Sequence, residues 1–184
     1  MSKQQEAPGA LERVRAFVNT VDFEEGTEAL GSPEALATWL SDNRLASPET
    51  HAFSSDLKHA IDVREALRAL LVAHNGGGLP PATASGTLDA AARRAHVRLR
   101  FAPEASATLE PTAAGVDGGL GRLLAIVHDA IADGTWARLK ACRQPTCQWA
   151  FYDHTKNRSG AWCTMQVCGN RAKARAYRER RATS

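Results

Sequence analysis

The sequence predicts a mainly α-helical protein with a small β-hairpin, an α+β fold in which a helical N-terminal domain precedes a short cysteine-containing module that ends in a basic helix. Apolar residues recur at helical spacing through most of residues 1–138. One segment near residue 100 alternates polar and apolar residues instead. All four cysteines lie between residues 142 and 168. A chain of 184 residues with 43% apolar content is long enough to bury a core.

Apolar stripes and capping residues mark the helices of the N-terminal part. Leu11, Val14 and Phe17 share one face of the first helix. The order serine, proline, glutamate opens a helix at Ser32 and again at Ser47, because serine caps the helix and proline fits its first position. The predicted helices are residues 10–21, a short helix from residue 32 to 40, a long helix from residue 47 to a stop at residues 75–78, residues 87–94, and residues 120–131.

A change of period predicts the β-hairpin. Residues 96–101 alternate polar and apolar side chains, residues 102–106 form a turn that contains a proline, and residues 107–111 resume the alternation. We expect this hairpin to cover one face of the helices.

The four cysteines form two pairs of identical spacing. Four residues separate Cys142 from Cys147 and Cys163 from Cys168, and fifteen residues lie between the pairs. Thiolates bind Zn²⁺ tetrahedrally, and two such pairs supply four sulfurs. Two disulfides are the alternative, but the polar N-terminus has no apolar leader to direct the chain to an oxidising compartment. We therefore predict one structural Zn²⁺, with His154 as an alternative ligand in place of one sulfur.

The charges are unevenly distributed along the chain. From Lys140 onward there are ten of the 23 Lys and Arg residues but only two of the 20 Asp and Glu residues. The C-terminal part thus carries roughly +8 and the rest roughly −5, which favours a polyanionic partner for the C-terminal part. No apolar run approaches the ~20 residues of a membrane span. We expect a cytoplasmic protein without membrane contact.

The residues around the cysteines predict a second hairpin and a basic helix. Aromatic runs at residues 149–152 and 161–162 flank a turn and are expected to pair, which brings Cys163 back toward Cys147. Residues after Cys168 are rich in Ala and Arg and predict a helix with Ala172 and Ala176 on the packed side. Asn170 is expected to cap this helix or to read a base. The candidate DNA contacts are Lys156, Arg158, Asn170, Arg171, Lys173, Arg175, Arg178, Arg180 and Arg181.

Two stretches resemble known families. Residues 142–173 resemble the CGNR zinc finger, named after the Cys-Gly-Asn-Arg string that stands here at residues 168–171. Residues 17–22 and 36–40 resemble the ABATE domain that usually precedes this finger in bacterial proteins. The resemblance implies an ABATE-like helical domain over residues 1–138 and a CGNR-type finger over residues 139–184. It further implies a stress-response transcription regulator that binds DNA. Ala161 departs from the family, where a basic residue often precedes the Trp-Cys pair, and this removes one phosphate contact.

The first 138 residues, called the body from here on, contain no enzymatic motif. Their five histidines stand singly, without a metalloprotease, hydrolase or phosphate-loop pattern around them. We predict that the protein is not an enzyme. A helical body with a hairpin can enclose a small-molecule pocket. The candidate pocket residues are Asn19, Thr20, Asp22, Trp39 and Arg64.

Two further hypotheses concern partners. In the alternative to DNA binding, the protein is a ligand- or protein-binding adaptor in which the zinc module is purely structural. A homodimer formed through the body is also expected, because a single copy offers only a small DNA interface.

Overall fold

Helices supply most of the regular structure, as predicted. The computed structural model describes residues 6–104 and 106–182. Within these ranges the helices are α1 (Leu11–Val18), α2 (Pro33–Asp42), α3 (Ser54–His74), α4 (Ala82–Arg94), α5 (Gly115–Ala132) and α6 (Asn170–Ala182). The strands form three antiparallel pairs, β1 (Val21–Asp22) with β2 (Thr27–Glu28), β3 (Val97–Phe101) with β4 (Ala107–Pro111), and β5 (Leu139–Ala141) with β6 (Ala150–Tyr152). The predicted fold class, mainly α with a small β component, is confirmed.

The first helix is shorter than predicted. α1 ends at Val18 rather than at residue 21. Thr20 turns its hydroxyl back to donate to the Phe17 carbonyl at 2.8 Å, and β1 begins at Val21. Such short polar side chains bond to nearby backbone groups and thereby end helices.

The cap of α2 is confirmed. Ser32 Oγ accepts a hydrogen bond from the Ala35 amide at 3.2 Å, and Pro33 occupies the first helical position. Both residues act as the sequence indicates.

The long helix begins later than predicted. Ser47 does not cap a helix. Its hydroxyl donates to the Glu49 carboxylate and accepts the Glu49 amide at 3.3 Å, and residues 47–53 form a turn followed by a segment without regular structure. α3 starts directly after Phe53, whose amide donates to the Asp56 carboxylate at 2.8 Å. The predicted start at residue 47 is therefore wrong.

The remaining body elements extend the predictions. α4 begins at Ala82 and α5 at Gly115, both several residues before their predicted starts. The β3–β4 hairpin is confirmed and pairs Leu99 with Leu109. It lies against α5 so closely that a Cβ at Gly121 would sit 2.7 Å from the Pro111 side chain.

The core lies between α1, α3 and α5, with α2 and α4 packed around them. Burying an aliphatic or aromatic side chain of this size contributes about 1.5–3 kcal/mol. The largest fully buried side chains of this core include Phe17, Leu36, Leu40, Leu67, Leu71, Leu120 and Leu123.

The β5–β6 pair belongs to the same core. Leu139, Ala150 and Tyr152 are buried in one cluster with the body side chains. A 3₁₀ turn (Trp136–Arg138) leads from α5 into β5. In the described part of the chain, no helix combines the length and apolar content needed to cross a bilayer.

Candidate metal centre and nucleic-acid interface

The four cysteine sulfurs meet between the β5–β6 pair and the start of α6. Cys142 directly follows β5, Cys147 precedes β6, and Cys168 lies in a π-helical turn (Met165–Gly169) that continues into α6. The Sγ atoms of Cys147 and Cys163 are 3.6 Å apart, and those of Cys163 and Cys168 are 3.7 Å apart. All four Sγ atoms lie within 4.8 Å of one another. Tetrahedral zinc with Zn–S bonds of about 2.3 Å needs sulfurs about 3.8 Å apart, so the set fits one Zn²⁺.

The pKa shifts of the four thiols also favour a bound cation between them. Hydrogen bonds from the Cys147 and Cys163 thiols lower the pKa of Cys142. Contact with Cys142 in turn raises the pKa of Cys147 and of Cys163, and burial raises the pKa of Cys168. One thiolate is therefore stabilised at the expense of its neighbours, because four negative charges repel each other in so small a volume. A divalent ion relieves this repulsion, and with four sulfur ligands it has no open position for water, which makes it structural.

The strand pair beside the cysteines differs from the predicted one. β6 pairs with β5, with Ala141 opposite Ala150, so the first cysteine pair lies in the connection between these strands. The predicted pairing of residues 149–152 with residues 161–162 is wrong. In the described structure Ala161 accepts a backbone hydrogen bond from Arg143 at 3.1 Å but is not part of a strand. The return of Cys163 to Cys147 is instead made by the loop of residues 153–162, called the return loop below.

A buried ion pair fixes the return loop. Lys140 Nζ donates to Asp153 Oδ2 at 2.7 Å and to the carbonyls of Arg158 at 2.6 Å and Gly160 at 3.1 Å. Asp153 also accepts from Thr155 and from the Gly160 amide. Burial raises the pKa of Asp153, but the hydrogen bonds from Lys140, Thr155 and Gly160 outweigh it and lower the pKa to about 2. Lys140 is thus occupied inside the module and does not reach an external anion.

The second and third residues of the Cys-Gly-Asn-Arg string have packing and capping roles. A Cβ at Gly169 would lie 2.6 Å from the sulfur of Met165 and 3.3 Å from the Trp162 ring, so a larger residue there would displace the Met165 side chain. Asn170 donates its side-chain amide to the Gln166 carbonyl at 3.0 Å, which ties the π-helical turn to the first turn of α6.

Arg171, the last residue of that string, contacts the body. Its guanidinium forms an ion pair with Glu24, which lies in the turn between β1 and β2. The Arg171 side chain is still 55% exposed. An acidic turn of the body therefore lies beside the start of α6.

The other candidate DNA contacts are exposed. α6 has Ala172 and Ala176 half-buried, on the side predicted to pack. The return loop joins the zinc site through Cys163 and α6 joins it through Cys168. The exposed candidates are Lys156, Arg158, Asn170, Arg171, Lys173, Arg175, Arg178, Arg180 and Arg181.

His154, the alternative zinc ligand, points elsewhere. Its Nε2 donates to the Glu6 carbonyl at 3.0 Å. Among the described residues, the metal-ligating cluster consists of the four cysteines.

Three of the five candidate pocket residues have polar partners inside the protein. The Asn19 amide group exchanges two hydrogen bonds with the backbone of Ala150, at 2.9 and 2.7 Å. Thr20 accepts from Arg64 at 3.0 Å, and Arg64 also forms an ion pair with Glu28 at 2.7 Å. These contacts join α1, α3, β2 and β6.

The other two pocket candidates also have partners. The Trp39 ring packs on Phe17 with centroids 5.3 Å apart, and Asp22 accepts the amides of the next turn. A body cavity of about 370 Å³ between α2 and residues 48–52 is lined by other residues. The ligand pocket stays a prediction.

Sequence reasoning missed the polar side chains that join the body to the cysteine-containing module. Asn75 donates to the carbonyls of Ala141 at 2.7 Å and Ala161 at 2.9 Å. Arg68, which is buried, donates to the Gln148 carbonyl at 3.0 Å. Asn75 reads in the sequence only as a helix stop, and nothing in the sequence pairs it with residues so far along the chain.

A Cys₄ metal site, a basic helix attached to it and a helical body together define a zinc-finger protein. Two family models match successive parts of the chain. The first, described as "Putative stress-induced transcription regulator" (ABATE), matches residues 12–134, and the second, the CGNR zinc finger, matches residues 138–181. The chain belongs to the ABATE family and carries a CGNR zinc finger at its C-terminal end. The predicted resemblance is confirmed. Comparison with curated proteins gives no match.

Proposed function

We propose that the protein is a DNA-binding transcription regulator of a bacterial stress response, in which one structural Zn²⁺ holds the basic helix α6 for contact with DNA. The observation that carries the proposal is that Cys168 lies in the turn that runs directly into α6. A helix anchored at a metal ligand is fixed at its start. Exposed guanidinium groups along it suit phosphate oxygens and guanine edges.

The charge distribution supports the same assignment. Glu179 is the acidic residue of α6 against Arg171, Lys173, Arg175 and further arginines toward its end. The return loop adds Lys156 and Arg158. Phosphate contacts of this kind supply most of the affinity of a small DNA-binding module.

We further propose that the two parts of the chain have different roles. The body, residues 1–138, senses the inducing signal or ligand, and the C-terminal module, residues 139–184, contacts DNA. The protein works in the cytoplasm, where thiols stay reduced and zinc binding competes with disulfide formation. It is not an enzyme, and it acts as a homodimer, because two copies double the DNA interface.

Fluorescence anisotropy with a labelled DNA duplex tests the proposal on the full zinc-loaded chain. If about five basic side chains contact phosphates, the logarithm of the binding constant falls against the logarithm of the salt concentration with a slope near −4 to −5. Replacing Arg171, Arg175 and Arg178 together by Gln is expected to reduce the slope by about 3 and to weaken binding at least a hundredfold at low salt.

A variant with the same change in net charge provides the control. Arg44, Arg93 and Arg98 are exposed arginines of the body. Replacing these three by Gln is expected to leave the slope nearly unchanged. Equal losses in the two triple variants would contradict the assignment of α6 as the DNA-contacting element.

A further inference from the structure

The C-terminal module contains a cavity that the proposed role of α6 does not use. Its volume is about 810 Å³, within the range of small-molecule sites. The cavity is lined by β6, by the return loop, and by Cys163, Thr164, Met165 and Gln166, which follow that loop. The cavity thus lies directly beside the zinc site.

The walls of the cavity are largely apolar and aromatic. Phe151, Tyr152 and Trp162 are among the lining residues, of which Phe151 and Tyr152 are buried, and Met165, which also lines the cavity, is 52% exposed. Thr164 and Gln166 add hydrogen-bonding groups. The Trp162 indole and the Met165 thioether beside a few polar groups suit a flat heteroaromatic ring.

The loop segment beside the cavity carries two positive charges. Asp153 lines the cavity, but it is 2% exposed and bonded to Lys140, so it offers no free charge to a ligand. Thr155 and Ser159 line the cavity, and the three residues that connect them include Lys156 and Arg158. In the described structure neither Lys156 nor Arg158 forms an ion pair, and both side chains are exposed.

The cavity is held open by the packing around it. Lys140 bonds the carbonyls of Arg158 and Gly160, and Arg138 bonds those of Asp153 and Thr155 at 3.0 and 2.9 Å. The mouth is therefore fixed before any ligand arrives, which reduces the ordering cost of binding.

We propose that this cavity receives one unstacked nucleobase of an unpaired nucleic-acid strand, whose flanking phosphates lie on Lys156 and Arg158. A base inside a duplex is stacked and cannot enter. A base turned out of the stack can lie against Trp162 and Met165, and each such contact contributes to affinity without strict sequence preference. The inference rests on the proposed function and adds to it that the module binds single-stranded or locally opened DNA.

The test compares two glutamate substitutions in the full zinc-loaded chain. Met165 and Val167 lie in the same turn and are 52% and 43% exposed, but of the two only Met165 lines the cavity. Anisotropy is measured with a labelled single strand, with its duplex and with the RNA strand of the same sequence. Met165→Glu is expected to weaken single-strand binding about tenfold more than Val167→Glu does. The two variants are expected to bind the duplex equally.

A second measurement remains decisive if Met165→Glu loses zinc. A single 2-aminopurine is placed in an unlabelled strand, and its emission is followed during titration with the unmodified protein. Stacking in the cavity is expected to quench it. Unchanged emission at saturation would overturn the proposal.

The outcomes separate this inference from the proposed function. Equal single-strand affinity in the two glutamate variants, with duplex binding intact, would contradict the cavity proposal but not the regulator proposal. Tighter binding of the RNA strand with the same loss in Met165→Glu supports the base site and contradicts the DNA regulator. Absence of binding to strand, duplex and RNA overturns both.

Discussion

Two lysine–aspartate ion pairs in the protein have the same Nζ–Oδ2 distance, 2.7 Å, but differ in burial. The side chains of Lys140 and Asp153 are 6% and 0% exposed, and those of Lys58 and Asp62 are 78% and 48% exposed. Water and salt screen the exposed pair, which also loses side-chain entropy when it forms. The buried pair has lost its water and depends on its partners.

Removing the cation of each pair therefore has different consequences. Lys140→Met is expected to destabilise the protein by about 3 kcal/mol, because Asp153 keeps a buried negative charge without its main partner. Lys58→Met is expected to change stability by less than about 0.5 kcal/mol. Denaturant unfolding of the zinc-loaded proteins measures both. Similar small losses would show that the Thr155 and Gly160 donors alone suffice for Asp153.

His74, like His59, is a histidine whose protonation opposes folding, because burial lowers the pKa of both. Its Nδ1 donates to the Leu139 carbonyl at 2.8 Å, and its ring lies edge-on to Trp136. Burial lowers the pKa of His74 below its ordinary 6.5, the Leu139 carbonyl offsets part of this, and Lys140 lowers it further. Well above pH 6.5 neither the folded nor the unfolded chain is protonated at this residue, so stability does not depend on it there.

Below pH 6.5 the unfolded state takes up the proton first. Stability is therefore expected to fall as the pH drops from 6.5 toward the lower pKa of the folded state. His74→Asn keeps a donor near the Nδ1 position but does not titrate. The free energy of unfolding, measured from pH 7.5 to 5, is expected to decline less steeply in the variant. Parallel curves for the two proteins would contradict this account of His74.

At the scale of single elements, local chemistry decides how well the sequence predicts the structure. Ser32 and Ser47 stand in the same sequence context, but only Ser32 caps a helix. The serine side chain does not account for the difference, because Ser47 Oγ accepts the Glu49 amide at 3.3 Å while it donates to the Glu49 carboxylate. The backbone turns at residues 47–50, and α3 begins only at Ser54, which a capping pattern does not show. The zinc ligands could be predicted because cysteine spacing reports directly on the ligand set.

The β5–β6 pair could not be predicted, because its partner choice depends on tertiary packing. Each strand has three residues, too few for a period-two pattern, and both are buried throughout. Leu139 and Tyr152 face each other in the ladder and pack into the body core. The aromatic character of residues 149–152 indicates a strand but does not say which segment pairs with it.

If α6 contacts DNA as proposed, the turn between β1 and β2 competes with a phosphate for Arg171. The Asp22 carboxylate accepts the amides of Glu24 and Glu25 at 2.9 and 3.1 Å, and the Phe23 ring lies 4.8 Å from the guanidinium of buried Arg68. The turn is thus fixed with Glu24 against Arg171. A phosphate that binds Arg171 must displace this carboxylate.

Glu24→Gln is therefore expected to increase duplex affinity about five- to tenfold near 0.1 M salt, because one more arginine becomes available to a phosphate. Glu25→Gln removes the same charge next to it, but Glu25 forms no ion pair in the described structure, so a much smaller gain is expected. In an Arg171→Gln background, Glu24→Gln should have no effect. Weaker binding by Glu24→Gln would show that the pair positions α6 instead of shielding it.

At the scale of the whole molecule, the C-terminal module is built onto the body rather than tethered to it. Side chains of α3 and of the residues that directly follow α1 and α3 bond the backbone on either side of the cysteines, through Arg68, Asn19 and Asn75. Arg143 of the module bonds the Asn75 carbonyl in return, at 2.6 Å. Zinc binding organises the same backbone segments, so the stability of the body and the affinity for zinc are expected to be coupled.

Substitution of Asn75 tests the coupling between the stability of the body and the affinity for zinc. Asn75→Ala leaves the Ala141 and Ala161 carbonyls without their side-chain donor. The Ala161 carbonyl keeps the Arg143 amide, so the main cost, about 1–3 kcal/mol for a buried acceptor left without a donor, falls on Ala141. Because Ala141 precedes Cys142 and Ala161 lies two residues before Cys163, part of that cost falls on the metal site. Zinc affinity, measured by competition with a chelator, is expected to fall about tenfold or more.

Asn43 provides the matched control for that change. Its side chain donates to the Trp39 carbonyl at the end of α2, at 2.8 Å, and no described contact joins it to the module. Asn43→Ala is expected to lower the stability of the body by about 1 kcal/mol and to leave zinc affinity unchanged. If Asn75→Ala and Asn43→Ala destabilise the body but bind zinc as tightly as the unmodified protein, the module folds around its metal independently. A signal sensed in the body would then need another route to α6.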